Sequence, residues 1–204
     1  MVDYKKDFKD LYLPKNSPMI IEVPSFRFLQ IAGQGDPNGE DFALATAALY
    51  SLSYAVKMSY KSNQVPVDYY EYTVFPLEGV WDLVDKTRAA TDKANLAYEI
   101  MIRQPDFLDE VLLERFITET RRKKPNRYLD TVELTTIKDG LSCQMLHLGS
   151  YEDEPANFMR MLQFCENLGY QRSSLKHREI YLSDPRKTEV TKLKTVLRFP
   201  VVKI

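Results

Sequence analysis

An order of elements that occurs twice does most to constrain this chain. Phe26–Ala32 alternates side chains as a strand does, and the turn formers Gly33, Gly35, Pro37 and Gly39 close it. Phe42, Ala45, Leu49, Leu52 and Val56 then recur at helical spacing and predict a helix over 40–57. Asn38 with Asp41 reads as its capping pair. Strands are predicted over Tyr69–Phe75 and Leu96–Arg103, with a turn at Pro76–Gly79 leading to Val80 and Trp81. The second half runs in the same order. A strand over Ser142–Leu148 ends at Gly149, and a helix over 154–168 carries Phe158, Met161, Leu162, Cys165 and Leu168 on one face. Asp153 reads as its cap, Pro155 lies in its first turn and Gly169 ends it. Strands over His177–Leu182 and Lys194–Pro200 complete the order.

The sharpest internal match sets Ile100-Met101-Ile102-Arg103-Gln104-Pro105 against Thr195-Val196-Leu197-Arg198-Phe199-Pro200, an apolar run, Arg, one residue, then Pro. Strand–helix–strand–strand written twice predicts an internal duplication. The expected fold is α+β, two β-α-β-β modules about a pseudo-two-fold axis, with a concave ligand cleft between the halves. Residues 1–23 read as an N-terminal leader, with Tyr4, Phe8, Leu11 and Tyr12 at amphipathic spacing. Residues 24–204 read as a single domain. Repeat one covers about 24–106, a connecting helix about 107–124, and repeat two about 128–204.

Composition narrows the function classes. A chain of 204 residues with a formal charge of −1 has no overall attraction for nucleic acid or an anionic membrane. No apolar run is long enough for a membrane span or signal peptide, and the expectation is a cytoplasmic protein. Cys143 and Cys165 read as buried free thiols in a reducing compartment. With His147 and His177 as the only histidines there is no zinc pattern, and no phosphate-binding glycine motif or nucleophile elbow occurs, so neither metal nor cofactor is expected. The run Arg121–Arg127 reads as a basic helix end favoured by the helix dipole. Thirteen tyrosines and ten phenylalanines exceed what a core of this size needs, and tyrosine is a common lining of ligand pockets.

One strand carries the candidate chemistry. In His177-Arg178-Glu179-Ile180-Tyr181-Leu182 the period of two puts His177, Glu179 and Tyr181 on one face and Arg178, Ile180 and Leu182 on the other. If Ile180 and Leu182 lie beneath the helix, Glu179 faces the trough. A strand glutamate is ordinarily solvated. Set in a partly apolar trough, its carboxylate needs either a raised pKa, suiting a base that activates water, or a donor, leaving a charge that attracts cations. His177 and Tyr181 are both placed to flank it. On one strand face they lie about 6–7 Å away at the backbone, so direct contact does not follow from spacing. Trp81, the only tryptophan, is either a cleft wall or a core aromatic. Tyr98 shares a face with Ile100 and Ile102 and belongs to the core unless its hydroxyl reaches inward; Tyr69, beside Glu71, occupies the repeat position matching the His177 strand.

Taken together, Phe75-Pro76-Leu77-Glu78-Gly79-Val80-Trp81, Met101–Phe107, His177–Lys187 and Leu193–Arg198 resemble the GyrI-like small-molecule-binding domain, a duplicated β-α-β-β fold. Members fused to a DNA-binding head are drug-sensing regulators whose cleft glutamate meets lipophilic, often cationic compounds. No stretch here reads as such a head, so the chain is more similar to the stand-alone branch, and direct nucleic-acid binding is not expected. Some members of that branch hydrolyse cyclopropane-bearing DNA-alkylating compounds and so give drug resistance by detoxification. The resemblance implies Glu179 as the catalytic carboxylate, with Trp81, Tyr98, Tyr69, His177 and Tyr181 as ligand-binding residues. It implies a small lipophilic aromatic ligand as the partner. The alternatives are a non-catalytic binder or sensor of lipophilic or cationic drugs, and a protein that acts on DNA gyrase.

Overall fold

The computed structural model describes residues 1–88 and 92–204. Its helices are α1 (Tyr4–Asp7), α2 (Lys9–Tyr12), α3 (Glu40–Lys57), α4 (Glu110–Lys123) and α5 (Glu154–Asn167). Its strands are β1 (Met19–Gln34), β2 (Leu77–Leu83), β3 (Leu96–Arg103), β4 (Glu133–Leu148), β5 (Tyr170–Arg172), β6 (His177–Tyr181) and β7 (Lys194–Lys203). This is the α+β content expected from the sequence. The chain divides into two compact units. One comprises 1–3, 26–77 and 83–137; the other comprises 4–25, 78–82 and 138–204.

In the first unit the later part of β1 runs antiparallel to β3, with Leu29 opposite Ile102, Ile31 opposite Ile100 and Gly33 opposite Tyr98. The helical stripe predicted from Phe42 to Val56 buries Ala45, Leu49, Leu52 and Val56 along α3. The strand extends through Gly33, which the sequence placed in the closing loop. A Cβ there would lie 2.5 Å from the Tyr98 ring, so the ring occupies space that only glycine leaves. Gly39, with no side-chain cap, precedes α3, because Asn38 bonds Asp36 and Asp41 pairs with Arg127. The connecting helix begins later than expected, at Glu110, where Asp109 accepts from the Leu112 amide at 2.8 Å.

Tyr69–Phe75 is not a strand. Tyr72 forms only an isolated bridge with Val2, whose backbone takes and gives the hydrogen bonds at Glu71 and Thr73. The aromatic side chains that gave this stretch its β character pack instead on Phe107, with ring centroids 5.3 Å from Tyr69 and 5.6 Å from Tyr70. The strand lies a few residues on, in β2, where the sequence suggested a turn.

In the second unit β6 pairs antiparallel with both β2 and β7, β7 with β4, and β5 with the end of β7. Cys143, Met145, Leu197 and Phe199 form one apolar face, covered by Met161 and Cys165 of α5. Gly169, at φ +74, ends the helix region as expected, while Asp153 makes no side-chain cap. Pro200 does not stop β7, which continues to Lys203. Residues Tyr4–Ser25 belong to this unit, with Tyr12 only 2% exposed.

Candidate functional site

Register decides which way Glu179 points. Residues directly opposite in an antiparallel ladder share a face. Glu179 is opposite Leu197 on one side and Gly79 on the other, and Leu197 is opposite Met145. Glu179 therefore stands on the face that α5 covers. The expectation that Ile180 and Leu182 lie under the helix is reversed. The period of two separates the faces but cannot say which one a helix takes. The face away from α5 is occupied by charges that neutralise one another. Arg178 grips Asp139 with two bonds of 2.7 Å and donates to Glu78 at 3.0 Å. Arg198 donates to Asp139, to Gln144 and to the Leu11 carbonyl; Tyr12 donates to Glu78, tying the N-terminal segment to the network. Asp139 is largely buried, which opposes its ionisation, but Arg178 and Arg198 together hold its pKa below the usual value.

On the α5 face the carboxylate of Glu179, 12% exposed, is held at both oxygens. His177 Nε2 donates to Oε1 at 2.9 Å and the Tyr181 hydroxyl donates to Oε2 at 2.8 Å. A carboxylate only accepts, so this places the imidazole proton on Nε2. Trp81, opposite His177 in the ladder, donates its indole N–H to the Tyr181 oxygen at 2.8 Å. A relay therefore runs from Trp81 through Tyr181 to Glu179. Phe158 of α5 meets the His177 ring edge-on at 4.9 Å, and Tyr151, 38% exposed, meets Tyr181 edge-on at 6.1 Å.

A second carboxyl completes the site. Glu154, in the first turn of α5, is 6% exposed, and the Glu179 charge acts on it. Burial, with the Glu179 charge beside it, pushes the Glu154 pKa above the usual carboxylate range. Burial and Glu179 likewise push Tyr151 up to about 12 and Tyr181 well above the phenol range. Glu179 thus stands with a second buried carboxyl, two phenols and an imidazole at the rim of an aromatic shell. The sequence did not mark Glu154. A glutamate in a first helical turn reads as dipole complementation, and no spacing rule connects it to a strand 25 residues on.

Four of the expected site residues, Trp81, His177, Glu179 and Tyr181, come together here. Tyr98 and Tyr69 belong to the first unit. The Tyr98 ring is buried against Gly33 and lies 5.0 Å from Phe42; the Tyr69 hydroxyl donates to the Lys57 carbonyl at 2.7 Å. Among the described residues no group of three or more His, Cys, Asp or Glu is arranged to hold a metal ion, and no helix is long and apolar enough to cross a membrane.

The model of the GyrI-like small molecule binding domain family matches residues 16–202. A solved structure described as an uncharacterized conserved protein from Listeria innocua is 38% identical, with a TM-score of 0.93 over 99% of this chain and 100% of that one. A structure described as a hydrolase from the same organism is 36% identical, with a TM-score of 0.92 over 99% of this chain and 100% of that one. Another Listeria innocua hydrolase is 37% identical, with a TM-score of 0.92 over 98% and 99%. No functionally curated protein matches the chain.

Proposed function

We propose that this chain, which belongs to the GyrI-like small-molecule-binding domain family, hydrolyses planar, lipophilic, cyclopropane-bearing electrophiles with Glu179 directing the water. The observation that carries the reading is the Glu179 carboxylate, nearly buried yet fixed at both oxygens by His177 and Tyr181. A base held in one orientation at the edge of an aromatic shell is suited to abstract a proton from water while flat rings stack beside it. The structures at 36% and 37% identity that are described as hydrolases support a hydrolytic reading.

The chemistry balances without a cofactor. A cyclopropane is electrophilic when conjugated to a carbonyl. The water oxygen bonds to the ring methylene, the strained C–C bond breaks, and its electron pair moves into the conjugated system. The carbonyl oxygen takes a proton from solvent, and Glu179 receives the proton that water loses. The product is the substrate plus one water. General-base assistance of this kind contributes about 10²–10⁴-fold.

The test is incubation of the protein with a cyclopropane-bearing alkylator, read by mass spectrometry, for wild type and Glu179→Gln. Many turnovers to a product heavier by one water, lost in the variant, support hydrolysis. Turnover unchanged in the variant removes Glu179 from the mechanism. A second reading rests on the same carboxylate among aromatic rings, an arrangement that attracts lipophilic cations. It predicts compound held unchanged at one equivalent.

A further inference from the structure

His147 takes no part in the site described so far, yet it is a buried histidine with both ring nitrogens committed. Register puts it on the α5 face. It is opposite Thr195, which is opposite Tyr181, so the three share one rung across β4, β7 and β6. Two strand spacings, about 9–10 Å, separate the backbones of His147 and Tyr181. β4 ends one residue on, at Leu148, and the chain reverses at Gly149, whose φ of +111 suits glycine. The reversal brings the Ser150 carbonyl within 2.8 Å of His147 Nε2 and delivers Tyr151 edge-on to Tyr181. The tautomer is set from the other side of the ring. Arg160 only donates, and its Nη1 lies 2.8 Å from Asn157 Oδ1, so the amide turns its NH2 to His147 Nδ1 at 2.6 Å. Nδ1 therefore accepts, and the imidazole donates from Nε2 to the Ser150 carbonyl. Arg160 is held in turn by the side chain and the carbonyl of Asn16, at 3.3 Å each.

We propose that Tyr151 is the specificity-determining wall of the Glu179 site, stacking the planar part of the ligand, and that His147 is the positioning residue that fixes this wall. The proposal rests on the reading of that site as the place where a planar compound meets Glu179. Of the rings around Glu179, Tyr151 is the one open to solvent: it is 38% exposed against 7% for Trp81, with Phe158 and Tyr181 between them. A ring that a ligand lies against must leave a face uncovered. Such a stack is made alike in the ground state and the transition state, so it sets KM rather than kcat. The turn that carries Tyr151 has backbone bonds from Gly149 to Leu193 and from Asp153 to Ser150, each 3.0 Å, and the His147 side chain adds its tie to the sheet. Loss of that tie frees the Ser150 carbonyl to turn, and the Tyr151 ring with it.

The experiment is a double-mutant cycle read in kcat and KM for the cyclopropane-bearing alkylator, with nitrogen-15 NMR of the histidine rings. Tyr151→Ala is expected to raise KM about 3–10-fold with kcat little changed, and Tyr151→Phe, which keeps the ring, should stay close to wild type. His147→Leu should raise KM in the same direction, and His147→Gln, whose amide still donates to the Ser150 carbonyl, should recover most of the loss. In the Tyr151→Ala background His147→Leu should add nothing, whereas a merely structural histidine would add its full effect. The wild-type spectrum should show the His147 proton on Nε2. A wild-type KM in Tyr151→Ala, additive losses in the cycle, or a proton on Nδ1 each overturn the proposal. If His147→Leu does not fold, Asn157→Leu, at a half-buried position, takes its place: Nδ1 then loses its donor, and the same KM rise and the same non-additivity are expected. Absence of turnover in wild type removes the hydrolase reading instead. The same cycle is then read in the dissociation constant for the alkylator, followed by Trp81 emission, where additive losses again overturn the proposal.

Discussion

Gly79 stands directly opposite Glu179 across the β2–β6 ladder, and the room left by its missing side chain is where Trp81 meets Tyr181. A Cβ at this position would lie 2.9 Å from the indole nitrogen and 3.2 Å from the phenol oxygen. Trp81 is buried and Tyr181 half-buried, and each serves the Glu179 relay, so neither can move without changing the site. Gly79→Ala is expected to cost about 1–3 kcal/mol of stability through overpacking. It should reduce turnover by more than the stability loss explains. Urea denaturation and initial rates check this, and a variant equal to wild type in both would show that the indole and phenol have room to spare.

Tyr181 is the joint of that relay, accepting from Trp81 and donating to Glu179. Tyr181→Phe removes a hydrogen bond to a charged acceptor, a class that contributes about 1.5–3 kcal/mol, and should lower the rate about 10–100-fold. Because Trp81 is the only tryptophan, its emission reports on the site alone. A planar ligand should change that emission on titration, and Tyr181→Phe should shift it before any ligand is added. Emission indifferent to both would place the ligand away from Trp81.

Much of this was legible in the chain, for identifiable reasons. The stripe from Phe42 to Val56 predicted α3 at its observed bounds, and the alternation in His177–Tyr181 placed three side chains that now share hydrogen bonds. What failed depended on partners distant in sequence. Arg178 shares its face with Ile180 in the alternation, but nothing in the spacing names the Glu78 and Asp139 that neutralise it at 4% exposure. Tyr69–Phe75 has strand composition, but its rings found Phe107. The repeated arginines are both buried and differ in role, Arg103 stacking on Phe26 and Phe75 while Arg198 binds Asp139 and Gln144. Glu154 was invisible because its meaning comes from Glu179 alone.

The network behind the site should be costly to break. Arg178→Met keeps the length of the side chain but leaves Glu78 and Asp139 without their principal counter-charge. Removing one partner of a buried ion pair costs about 3–5 kcal/mol. A loss under about 1 kcal/mol, measured by denaturation, would mean that the remaining arginine or entering water compensates. Restoring neutrality by adding Asp139→Asn to Arg178→Met should recover part of the loss.

Asp139 and Glu154 should give stability opposite pH dependences. The folded pKa of Asp139 lies below its unfolded value of about 3.9, so the stability it confers is complete above that value and lost as pH falls through the folded pKa. The folded pKa of Glu154 lies above its unfolded value of about 4.3, so the folded state binds the extra proton. Stability then declines as pH rises from that value toward the folded pKa, by at most about 1.4 kcal/mol per pH unit. Thermal unfolding from acid to alkaline pH separates the two. Asp139→Asn should flatten the acid side of the curve, and Glu154→Gln should flatten the decline on the alkaline side, gaining relative to wild type as pH rises. An alkaline decline as steep in Glu154→Gln as in wild type would assign that dependence to another group.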